Sequence, residues 1–160
     1  AWAPLIEAAS DTLANLDRLS TMEGEPEPPV LVHNSLVPGT VRLGPSGALV
    51  VTGWEHAAGQ PPSWELGEAL SHWAVDPNGG VNEAGARALL AGYREVAGGL
   101  PPVSEAMFRG TATGLVNYVT GQVELALSTG DDHDGRTVAH LLTHLPDRAA
   151  FETLLAVARE

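Results

Sequence analysis

Cysteine is absent from this 160-residue chain, which excludes disulfide staples and thiol chemistry and leaves the redox compartment open. Lysine is absent too: the eight basic residues are all arginine, against twenty acidic ones, for a net charge of −12. Such a charge opposes binding to nucleic acid or to an anionic membrane. It suits a cationic ligand or a basic peptide, or serves solubility alone. No apolar run approaches the ~20 residues of a membrane span. Glu7, Asp11 and Asp17 stand where a signal peptide would carry a basic flank and an apolar core, so a cytoplasmic protein is expected. No Gly-x-x-x-x-Gly-Lys phosphate loop occurs, and Gly79-Gly80 reads as an ordinary turn.

What is present reads as one domain over residues 1–160, long enough for an adequate core. Its bias toward Ala, Gly, Pro and Arg points to a bacterial high-GC genome. The most informative stretch runs from Pro29 to Leu70. Val30, Leu31 and Val32 make a short strand ahead of His33-Asn34-Ser35-Leu36. Val41–Leu43 and Ala48–Thr52 then flank Gly44-Pro45-Ser46-Gly47, which predicts a β-hairpin packed on the loop at residues 33–40.

Around this stretch the pattern is helical. Trp2, Leu5, Ile6, Ala9, Leu13 and Leu16 recur at helical spacing and predict one amphipathic helix over residues 2–21. An acidic, proline-rich segment, Glu23 to Pro29, follows it in extended form. Further helices are expected from Trp64 to Val75, from an Asn82 cap to Ala97, and from a Ser104 cap to Leu127. The stripe of that long helix is Phe108, Ala112, Leu115, Val116, Val119, Val123 and Leu127. Asp131-Asp132-His133-Asp134-Gly135 reads as an acidic helix start, lacking the spacing and final Glu of an EF-hand. His140 and His144 have zinc-protease spacing, but Leu141 replaces the Glu which that motif needs. A last helix, Pro146 to Arg159, buries Ala150, Leu154, Leu155 and Val157 or Ala158.

The segment from Leu31 onward resembles the C-terminal lobe of the aminoglycoside phosphotransferase and choline-kinase family of kinase-like enzymes. The catalytic loop there reads His-x-Asp-Leu, three residues, then Asn; here His33-Asn34-Ser35-Leu36-Val37-Pro38-Gly39-Thr40 fits the frame without a gap. Thr52-Gly53-Trp54-Glu55 and Pro61-Pro62-Ser63-Trp64-Glu65-Leu66 match the later Asp-Trp-Glu and Trp-Asp/Glu-Leu segments in order and spacing. The resemblance implies a mostly α, α+β fold: a small hairpin with about five or six helices. A complete member carries an N-terminal lobe, whereas only 32 residues precede His33, so the N-terminal lobe is expected to be absent.

The resemblance puts the catalytic Asp on Ser35, the metal-binding Asn on Thr40 and the second metal-binding Asp on Gly53. A serine hydroxyl is no base near neutral pH, threonine is a weak Mg²⁺ ligand and glycine offers no side chain. The chain also has no lysine to grip ATP. It implies that His33 and Glu65 support the loop, and it offers Asn117 and Tyr118 as ligand contacts; packing is the other reading of that pair. Glu55, two residues after Gly53 on an extended strand, would lie on the same side and hold a displaced metal.

The expected function is therefore a catalytically degenerate, pseudokinase-like binding or scaffold module with no cofactor. Its partner would be another protein chain, itself or a cationic peptide, bound at the face left by the missing lobe. The alternative is one half of a phosphotransferase that passes phosphate from ATP, with Mg²⁺, to a small-molecule or peptide hydroxyl.

Overall fold

Five helices contribute to one apolar centre in which Leu16, Leu66, Leu70, Leu90, Phe108 and Leu154 are withdrawn from solvent. The computed structural model describes residues 3–160; Trp2, placed above at the start of the first helix, lies outside the described residues. Among these residues the chain forms seven α-helices and two small antiparallel sheets. The mostly α, α+β architecture is as expected, with more helices than the five or six anticipated.

The first helix is in fact two, α1 (Ala3–Ala8) and α2 (Ser10–Ser20), turned at Ala9. Hydrogen bonding continues through the turn, Ala9 N–H to Leu5 O and Leu13 N–H to Ala9 O, both at 2.9 Å. The two pieces have different partners: α1 packs on one helix of the C-terminal half (α6, Asp132–Thr143) and α2 on another (α5, Arg109–Thr129). The acidic strap that follows is pinned by Glu27, whose carboxylate accepts from the Ser63 amide at 3.2 Å and from the Ser63 hydroxyl. That amide lies in the first turn of α3 (Pro62–Ala74), where a carboxylate also meets the positive end of the helix.

The sheets frame the loop. β1 (Val30–Val32) pairs with β4 (Ala58–Gln60), and β2 (Val41–Leu43) pairs with β3 (Leu49–Val51), Leu43 opposite Leu49. The hairpin sits where the turn signal places it and joins no larger sheet. β4 was not anticipated, since Ala-Gly-Gln has little strand propensity. It is a strand because its backbone pairs with β1, Val30 opposite Gln60 and Val32 opposite Ala58.

The remaining helices are α4 (Glu83–Ala97), α5, α6 and α7 (Arg148–Ala158). Asn82 caps α4 as expected, its side chain accepting from the Gly85 amide at 2.9 Å. Ser104 makes no side-chain cap; a 3₁₀ turn over Glu105–Phe108 intervenes before α5. The 21 residues of α5 join the main centre to a second one made by Ala9, Val119, Ala126, Val138 and Leu142. Leu127, expected in the buried stripe, is 71% exposed, and Ala126 is buried instead. Seven residues return a helix to within about 20° of the Val119 direction, while eight overshoot by about 80°. Among the described residues no helix is long and apolar enough to cross a membrane.

Gly67 fixes how deeply α3 seats. A Cβ built there would lie 2.1 Å from the Met107 carbonyl oxygen and 2.8 Å from its carbon, so the helix touches backbone directly. Gly92, in α4, has nothing within 4 Å of the same position. The two should therefore respond oppositely to alanine. Gly92→Ala is expected to stabilise the fold by about 0.5–1 kcal/mol through helix propensity. Gly67→Ala should destabilise it by about 1–3 kcal/mol through overpacking. Urea unfolding followed by circular dichroism measures both, and equal effects would refute the close approach.

Candidate functional site

Strand β1 ends by delivering His33 into the interior, where only 4% of it is exposed. Its backbone amide donates to Glu65 Oε1 at 3.1 Å and the next amide, Asn34, donates to Glu65 Oε2 at 3.0 Å. One carboxylate in the first turn of α3 thus holds two consecutive loop amides. Asn34 takes a left-handed backbone, φ 63°, a conformation asparagine tolerates better than most residues. The His33 ring reaches the other way, with Nε2 2.8 Å from the Thr52 carbonyl oxygen. A carbonyl only accepts, so Nε2 carries the proton; Nδ1 is buried without a partner. Trp54 closes over the ring edge-on, centroids 4.8 Å apart, with its indole N–H donating to Val51 O at 3.1 Å.

The three positions that the resemblance assigns to catalysis lie together around this histidine. Thr40 ends a 3₁₀ turn that begins at Pro38, and its hydroxyl is absorbed by the loop itself. It lies 2.8 Å from Ser35 O and 2.9 Å from Val37 O, and it accepts from the Val37 amide at 3.3 Å. The Thr40 carbonyl receives the Thr52 amide at 2.8 Å, tying loop to hairpin. Gly53 follows at φ 86°, and a Cβ there would sit 3.2 Å from Thr40 Cγ2 and 3.6 Å from His33 Cε1. The polar partners of His33 are one backbone carbonyl and one carboxylate.

Glu55 is a correction. Residues Trp54–His56 form a 3₁₀ turn and not an extended strand, so the two-residue alternation with Gly53 does not apply. Glu55 is exposed, and its support as a metal holder is lost with the strand. Asn117 and Tyr118 are exposed on α5, which packs on α2, α3 and α6, and neither joins the hydrogen bonds of the loop. Asp131 caps α6 by accepting from the His133 amide at 2.7 Å, so that acidic run is a helix start. His140 and His144 lie ring to ring at 4.1 Å on the surface. Among the described residues no group of three His, Cys, Asp or Glu could hold a metal ion.

Sequence reasoning missed the cleft beneath the hairpin. Val41, Leu49 and Val51 form one wall of a cleft of about 370 Å³, and Leu66, Ala69 and Trp73 of α3 form the opposite one. Leu36 from the loop and Leu89 and Tyr93 from α4 complete it, with Glu65 at its edge. Trp73 is anchored by its indole N–H, which donates to Leu36 O at 2.8 Å. Spacing in α3 does contain a signal: Glu65, Ala69 and Trp73 succeed one another every four residues on one face.

In comparisons with protein-family models, with curated proteins and with solved structures, nothing matches this chain.

Glu68, on the same helix, lies in the field of Glu65. Burial, then the neighbouring Glu65 carboxylate, raise the Glu68 carboxyl above its ordinary value, with His33 acting in the opposite direction. A raised folded-state value means the fold prefers Glu68 protonated. That preference stabilises below the ordinary Glu range and is lost as pH rises through the raised folded value. Glu68→Gln is accordingly expected to be more stable than the parent at pH 7, the difference closing on acidification below the ordinary Glu value. Glu65→Ala should cost about 1.5–3 kcal/mol by removing the ionised acceptor of two amides. Urea midpoints across pH test the first. Faster amide exchange at residues 33 and 34 in Glu65→Ala tests the second, and unchanged exchange there would contradict the brace.

Proposed function

We propose that this chain is a phosphotransferase-like lobe whose catalysis has degenerated and which works as a binding or scaffold module for a partner protein. The observation that carries this reading is the state of the loop around His33. The supporting contacts, Glu65 to two amides and His33 to Thr52, are complete. The positions that would do chemistry hold a serine, a threonine whose hydroxyl is spent inside the loop, and a glycine. Nothing there accepts a proton from a substrate hydroxyl or offers a hard metal a carboxylate.

A binding role is supported by the surface beside the loop. Leu31, Leu43 and Leu49 are 77%, 73% and 72% exposed, and Trp54 is exposed with them. Large apolar side chains gathered on the strands around one loop are a feature of interaction faces. The charge of −12 favours a partner of opposite sign.

Calorimetric titration with ATP, with and without Mg²⁺, is expected to give no Mg²⁺-dependent binding at micromolar concentration. Tight Mg-ATP binding by the unmodified chain would restore the enzyme reading. Ser35→Asp, Thr40→Asn and Gly53→Asp together should yield at most weak metal affinity. Gly53→Asp alone should cost about 1–2 kcal/mol of stability, because it forces a side chain into a left-handed backbone. Light scattering should show association at micromolar concentration that Leu31→Ser/Leu43→Ser weakens. A clean monomer, unchanged by that pair, would count decisively against association through this face.

A further inference from the structure

His140 and His144 stand one turn apart at the C-terminal end of α6, both exposed. A four-residue step along a helix puts two side chains on one face. Their rings lie 4.1 Å apart, centre to centre, with 36° between the planes. The helix itself orients the second ring: His144 Nδ1 lies 2.7 Å from His140 O and 2.9 Å from Thr143 Oγ1. A carbonyl only accepts, so Nδ1 carries the proton and Nε2 of the neutral ring keeps its lone pair. Metal-ligating histidines are commonly held this way, one nitrogen on a backbone carbonyl and the other open to the metal. Those bonds use only the carbonyl of His140, and among the described residues its own ring is hydrogen-bonded to nothing.

The separation suits two rings that share one metal ion. A metal about 2.0–2.1 Å from a ring nitrogen is roughly 3.2 Å from the centre of that ring. Two such rings subtend about 90–110° at the metal when their centres are about 4.5–5.2 Å apart. From 4.1 Å, an outward swing of roughly 0.5–1 Å reaches that range, and the unbonded His140 ring can supply it. Imidazole nitrogens favour copper, nickel and zinc, whereas magnesium and calcium want oxygen. The C-terminal end of a helix carries partial negative charge and the chain carries −12 overall, and both favour a cation there. The pair belongs to no group of three ligands among the described residues, so solvent completes the coordination.

We propose that His140 and His144 form a two-histidine chelate for a late first-row divalent cation, with copper held most tightly. The missing Glu at Leu141 removes the base of a zinc protease, but chelation needs no base. The site shares no residue with the loop around His33 and does not rest on the partner-binding reading.

The test uses the full chain without an affinity tag, above the ordinary imidazole range because metals bind the neutral ring. Calorimetric titration is expected to give one site per chain for Cu²⁺ and for Ni²⁺, tighter for Cu²⁺, and no binding of Mg²⁺. His140→Ala and His144→Ala should each weaken Ni²⁺ binding by about tenfold or more, because one ligand alone loses the chelate advantage. His133→Ala, exposed at the other end of α6, should leave it unchanged. Circular dichroism checks that the variants keep their helices. Substoichiometric Cu²⁺ locates the site without any variant, by broadening the amide cross-peaks around residues 140 and 144 in a proton–nitrogen correlation spectrum. Absence of saturable Cu²⁺ and Ni²⁺ binding below millimolar concentration would overturn the site. So would broadening centred on other residues, or parental Ni²⁺ affinity in His140→Ala. One metal per two chains would overturn its open coordination.

Discussion

The two hydrogen bonds from His33 and Asn34 to the Glu65 carboxylate hold together parts of the chain that have little else in common. Hydrogen bonds to an ionised acceptor are roughly twice as strong as neutral ones. Here both start from adjacent amides, so they fix direction as well as distance. The position of Glu65 is in turn set by how far α3 seats against Met107, and Gly67 permits that contact. From this one contact the order continues outward, through His33 to Thr52, through Thr52 to Thr40, and so to both strands of the hairpin. The cleft exists because the hairpin is fixed at its base while α3 and α4 recede behind it.

A loop built in this way is indifferent to several of its own side chains. Its donors and acceptors are mostly amides and carbonyls, which any residue supplies. Among the described residues His33, Glu65, Thr40, Thr52 and Trp73 contribute side-chain bonds to it. Ser35 needs to present only its carbonyl, and Gly53 needs only its conformation. Such a frame keeps its outline whichever small side chain stands at Ser35, because what holds it is main chain and the few side chains just named.

Much of the fold was legible in the sequence where local signals and tertiary packing agree. The hairpin was marked by Gly44-Pro45-Ser46-Gly47 between β-formers, and the start of α4 by Asn82. Ala150, Leu154 and Leu155 were correctly placed inside, and where Val157 or Ala158 was expected there, both are buried. The misses fall where neighbours override the local pattern. Ala9 looks like any helical residue, but the segments on its two sides serve different partners. Ala58–Gln60 is strand only because β1 lies beside it. The strand placement of Glu55 failed because alternation was extrapolated past the end of β3. The Glu65 contact was suggested by resemblance alone, since residues 32 apart in sequence give no periodicity to read. The cleft was missed because hydrophobic spacing shows which residues avoid water, and not whether the facing layers meet.

The hairpin is attached at its ends and not along its length. Thr52 joins it to the loop at one end, while Leu43, Leu49 and Val50 remain open to solvent toward the other. The hairpin makes few contacts with α3, so its amides are expected to exchange with solvent through local opening and not through global unfolding.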